Sequence, residues 1–130
     1  MSIVVIGLLG VEFLLGMFLN QFVSIPTSDP FSGSGLLPLG LHMTNAFLLL
    51  AVSVAMIFVA RGLGDRKSVG ITSLTALSLF VAISAGFNFI FGGQGSVASY
   101  VMATGFLAAV LLQVYLIVHR SLLTIRVRRP

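Results

Sequence analysis

The chain has 130 residues, 58% of them hydrophobic and 8% charged, with seven Lys and Arg against three Asp and Glu. So few charges cannot clothe the core of a soluble domain of this size, which leaves lipid as the solvent. Cysteine is absent, so disulfides, thiolate metal sites, cysteine nucleophiles and thioether-linked haem are excluded.

The first apolar stretch, about Ile3–Val23, has no basic leader and carries Glu12 inside it. It is expected to be a retained helix and not a cleaved signal peptide. The segment Ser24-Ile-Pro-Thr-Ser-Asp-Pro-Phe-Ser-Gly-Ser-Gly follows, and its prolines, glycines and serines make it a loop. A second apolar stretch covers about Leu39–Ala60, and Arg61-Gly-Leu-Gly-Asp-Arg-Lys is a charged turn. A third covers about Val69–Phe91, Gly92-Gly-Gln-Gly-Ser is a tight turn, and a fourth covers about Val97–His119. Each has ~20 residues, enough to cross a ~30 Å hydrocarbon core at ~1.5 Å per residue. Lipid offers no partner to a free amide, so such runs fold as helices.

The expected fold is all-α: a single transmembrane domain over 1–130, an up-down-up-down four-helix bundle joined by short connections. All seven bases (Arg61, Arg66, Lys67, Arg120, Arg126, Arg128 and Arg129) fall in the second connection or the tail 120–130. The positive-inside rule then places both termini in the cytoplasm, in a multi-pass plasma-membrane protein. Bases confined to two short segments are a topology signal, so the net charge of +4 does not imply nucleic acid. The basic tail is expected to lie on the cytoplasmic surface against anionic lipid. Small residues four apart (Ser78, Ala82 and Gly86; Gly105 and Ala109; Ala51 and Ala55) prepare close helix contacts.

In such a chain, function shows as polar groups that hydrocarbon should exclude. Sorted by depth in the expected topology, Asn20, Gln21, His42, Asn45, Asn88, Tyr100 and Thr104 form a layer near the outer face, drawn from all four helices. Glu12, Gly16 and Asn20 follow at i, i+4 and i+8 on one stripe, and His42 and Asn45 stand three apart on one face. Glu12 is the costliest residue, since a charged carboxylate near mid-bilayer costs at least ~2.5 kcal/mol. It suits a proton carrier, a cation site, an acid beside a cofactor, or a carboxyl bonded between helices. His42 suits haem iron, another metal or proton exchange, with Met102 among the side chains able to supply a second axial ligand. His119, beside Arg120, reads as a boundary residue. The turn Gly92-Gly-Gln-Gly follows no strand and is not a nucleotide loop. No Ser-His-Asp set shares one depth, so hydrolysis is not expected.

The segment Gly16-Met-Phe-Leu-Asn-Gln-Phe-Val-Ser-Ile-Pro, then Leu41-His-Met and Ser99-Tyr-Val-Met-Ala-Thr-Gly-Phe, resembles uncharacterised four-helix membrane proteins of prokaryotes. That resemblance covers most of the chain and implies a fold without an activity. The chain is also similar to the small multidrug resistance transporters, four-helix proteins with one essential glutamate in helix 1, which Glu12 would match. It departs from them in lacking tryptophan, in its longer first loop and in its one-sided bases.

The leading expectation is a membrane protein that binds haem b or is redox-linked, with His42 as axial ligand near the outer face. Asn20, Asn45, Asn88, Tyr100 and Met102 would surround the cofactor, giving a possible role in electron transfer. The alternatives are an oligomeric proton-coupled or cation transporter or channel using Glu12, and an accessory subunit of a larger membrane complex.

Overall fold

The computed structural model describes residues 2–26 and 29–127. Four long helices, α1 (Ser2–Phe22), α2 (Leu36–Gly62), α3 (Arg66–Phe91) and α4 (Ser96–Val127), follow one another, with a short 3₁₀ turn at Gly33–Gly35 leading into α2. All four are long and apolar enough to cross a membrane. Each packs on the next in sequence, and α1 also packs on α4, closing the bundle.

Local chemistry sets the helix ends. α2 starts at Leu36, before the apolar run at Leu39, because Pro38 falls in its first turn, where a missing N–H costs nothing. α3 starts at Arg66 because Asp65 caps it: Ser68 donates its backbone N–H to Asp65 Oδ1 at 3.0 Å and its hydroxyl to Oδ2. At the far end of α3, Gln94 takes a positive φ of 60° and donates its backbone N–H to Phe89 O at 2.9 Å. α4 continues helical to Val127, through residues that the sequence assigns to a tail, because no helix breaker intervenes before Pro130. Arg128 and Arg129, and the side chain of Arg126, on which the lipid-facing tail rests, lie outside the described residues.

Neighbouring helices run antiparallel. Leu8 and Glu12 stand against Asn45 and Gly16 against His42, while Ser68, Thr75 and Gly86 on α3 meet Arg120, Gln113 and Met102 on α4. The α3–α4 seam is tight at Gly105, where an added Cβ would lie 2.9 Å from Ser78 O and 3.2 Å from Ala82 Cβ. The small-residue rows of helices 3 and 4 therefore do meet, as backbone proximity in lipid requires.

The interior has two apolar clusters. The larger joins Val5, Leu9, Leu49, Met56, Leu79, Ala109 and Leu116 and draws on every helix. The smaller, Leu19, Leu39 and Ile90 with Val23 and Ile25 against it, closes the end that carries the first loop. Outside, the exposed side chains are themselves large and apolar, among them Phe13, Phe58, Leu74, Phe80 and Leu111. That surface suits lipid and not water.

Candidate functional site

Between the two apolar clusters lies a polar cluster built from α1 and α2. Glu12 sits midway along α1 on its buried face, 7% exposed. The helical periodicity that buries Val5, Leu9 and Leu19 gives it no other direction. Asn45 Nδ2 donates to Glu12 Oε2 at 2.8 Å and reaches Leu8 O at 3.1 Å. One amide thus fixes both the carboxyl and the helix that carries it.

His42, one turn from Asn45, brings Nδ1 to 3.1 Å from the other carboxyl oxygen, Glu12 Oε1. The distance is that of an ion pair, although Nδ1 makes no aligned hydrogen bond among the described residues. Gly16 lies beside the ring: a Cβ there would sit 3.4 Å from His42 Cε1, in ordinary contact. The imidazole side chain is 22% exposed against 8% for Glu12, so the histidine is the outward member of the pair. Chemically this is a buried acid held beside a base, with a fixed amide polarising the acid. Such a pair can share a proton and pass it on.

The remaining predicted residues do not join it. Asn20 is exposed at the end of α1, and Tyr100 is 70% exposed on α4. Asn88 is exposed with Ser84 along a shallow cleft of about 540 Å³ between α3 and α4, lined also by Phe80, Ala85 and Val101. Met102 packs toward Gly86 within the α3–α4 seam. Thr104 spends its hydroxyl on Tyr100 O, at 3.0 Å. For Asn88, Tyr100 and Thr104 the reason is shared: α3 and α4 meet through their small residues, which turns the Ser84–Asn88 and Tyr100–Thr104 stripes outward. Each stripe does lie on one helix face, but only those of α1 and α2 face each other.

Two polar features stand apart from this cluster. Gln94 donates Nε2 to Ile25 O at 2.9 Å, tying the α3–α4 turn to the first loop above the smaller apolar cluster. At the opposite, basic end, Arg120 Nε reaches Ser68 Oγ at 3.3 Å, drawing α4 to the α3 cap. The Asp65 carboxyl is held below its usual range, first by the Ser68 hydroxyl, then by the Ser68 amide, with Arg120 and His119 adding to it. Neither feature follows from periodicity, because each joins a loop or cap to a distant element.

Among the described residues no group of three or more His, Asp and Glu gathers as a metal ion requires. Comparison with protein-family models, curated proteins and solved structures gives no match.

Proposed function

We propose that the protein is a multi-pass membrane protein that exchanges protons through the Glu12–His42 pair, as part of proton-coupled transport. The observation that carries the reading is the 3.1 Å approach of Glu12 Oε1 and His42 Nδ1 across α1 and α2, inside four helices long and apolar enough to span a bilayer. Ionisable residues in such segments are costly and are kept mostly for ion or proton pathways. The bases Arg61, Arg66, Lys67 and Arg120 share one end of the bundle, which supports cytoplasmic termini by the positive-inside rule; in that orientation His42 belongs to the outer half.

The pair divides the work. Asn45 holds Glu12 Oε2, which leaves Oε1 free to face the imidazole. His42, the more exposed partner, takes a proton from the outer side and passes it through Nδ1 to Glu12. The buried Glu12 is then neutral and compatible with its apolar surroundings. Release to the opposite side returns the pair to its starting state and completes one transfer. Reconstituted in liposomes with an entrapped pH indicator, the protein should dissipate an imposed proton gradient, and Glu12→Gln should abolish that flux. Flux that survives Glu12→Gln contradicts the reading.

A second reading follows from the same contact. A histidine whose Nδ1 faces a carboxylate has the outer-shell support typical of metal-ligating imidazole, with Nε2 left as the ligating atom. Haem b bound by His42 would give the purified protein a Soret band that His42→Ala removes. Protein without such a band rejects this reading and leaves the first intact.

A further inference from the structure

Four side chains collect at one level on the basic side of the Leu9–Leu49–Leu79 layer. Ser53 lies nine residues before the end of α2 and Thr75 nine residues after the start of α3, so the intervening turn sets them at one height. Gln113 on α4 joins them, donating Nε2 to Thr75 Oγ1 at 3.3 Å. The register that places Leu8 and Glu12 against Asn45 carries Ser2 on α1 to the level of Ser53, eight residues along α2 from Asn45. Every helix therefore contributes one polar side chain to this layer. Ser53, Thr75 and Gln113 are fully buried, and Ser2 is 8% exposed.

Their hydrogen bonding is incomplete in a complementary way. Thr75 donates to Ile71 O at 3.0 Å and accepts from Gln113. Gln113 Oε1, Ser53 Oγ and Ser2 Oγ have no partner among the described residues. Thr72, Thr104 and Ser121 each return their hydroxyl to the carbonyl one turn back, the usual recourse in an apolar helix. Ser53 does not. The layer thus presents two free hydroxyls and one free amide carbonyl at one height, where lipid cannot reach them and where an unmet polar group is costly.

We propose that Ser2, Ser53, Thr75 and Gln113 enclose an internal water site. Water donates to Gln113 Oε1 and accepts from the serine hydroxyls, meeting the two to four polar partners that a buried water needs. The site lies about 12 Å along α2 from Asn45, at ~1.5 Å per residue, with the fully buried Leu49 between the two polar levels. The bundle then has two polar levels separated by a dry one, and this inference stands whether or not Glu12 exchanges protons.

The test is water-edited solid-state NMR on the full chain in lipid bilayers, with the Gln113 side-chain amide assigned by its loss in Gln113→Met. Transfer from water to that amide, with the Leu49 and Leu79 amides dark, is the expected result. A Gln113 amide as dark as Leu49 overturns the proposal. Thermal unfolding of Ser53→Ala gives an independent sign. Removing a hydroxyl that holds water lowers the melting temperature, whereas removing an unpartnered one raises it or leaves it unchanged, and either of those results overturns the proposal.

Discussion

Glu12 on α1 and His42 on α2 approach within 3.1 Å at a depth where both neighbouring layers of the bundle are apolar. The contact ties α1 to α2 through chemistry as well as packing. Asn45 is the third member, and its amide spans the carboxyl and the Leu8 carbonyl.

Asn45→Leu should therefore cost more than its change in size. It removes two hydrogen bonds and leaves a buried carboxyl oxygen without its donor, a loss of about 1–3 kcal/mol. Unfolding in mixed micelles should show that drop, and Glu12→Gln combined with Asn45→Leu should cost less than the sum of the two singles.

Gly16 and Gly105 should differ in their tolerance of alanine. A Cβ at Gly16 makes ordinary contact with the movable His42 ring at 3.4 Å. A Cβ at Gly105 meets the Ser78 carbonyl at 2.9 Å, and backbone cannot step aside. Gly105→Ala should lower stability by about 1–3 kcal/mol through overpacking. Gly16→Ala should be near neutral, while Gly16→Leu should drive His42 off Glu12. Melting temperatures of the three variants order these effects.

The helices, their order and their antiparallel packing were legible from run length and turn chemistry, because lipid permits little else for such stretches. The Glu12–Gly16 stripe and the His42–Asn45 pair were legible from helical spacing. Spacing alone could not say which face of a helix meets which neighbour, and that is why Asn88, Tyr100 and Asn20 read as one layer although they face outward. In a soluble helix the apolar stripe marks the inside. Here both faces are apolar, and the small residues of the α3–α4 seam set the rotation instead.

Asp65 gives the basic end a defined acid response. Its folded-state pKa lies below the usual 3.8, so the stability it contributes is present above that value and is lost as pH falls through the lower, folded one. Asp65→Asn should flatten this acid limb of the stability profile. Asp65→Ala should also remove the α3 cap, costing about 1 kcal/mol at neutral pH. Unfolding of the two variants as a function of pH separates these effects.

Gln94 holds the first loop through Ile25 O from a backbone conformation that few side chains adopt willingly. Gln94→Gly relaxes that backbone but releases the loop, whereas Gln94→Ala keeps the strain and loses the bond, a net cost of about 1 kcal/mol. Both should speed proteolysis within 23–32 without unfolding the bundle, and Gln94→Ala should be the less stable of the two.

Whether Glu12 and His42 share and exchange a proton is decided by infrared difference spectroscopy in lipid. The chain has only three acidic side chains, Glu12, Asp29 and Asp65, so a carboxyl band is readily assigned. Proton exchange within the pair gives a protonated-carboxyl stretch that changes reversibly with pH, shifts in His42→Ala and Asn45→Leu, and is absent from Glu12→Gln. A spectrum in which no pH-dependent carboxyl band is lost in Glu12→Gln, or in which that band ignores His42→Ala, would contradict it.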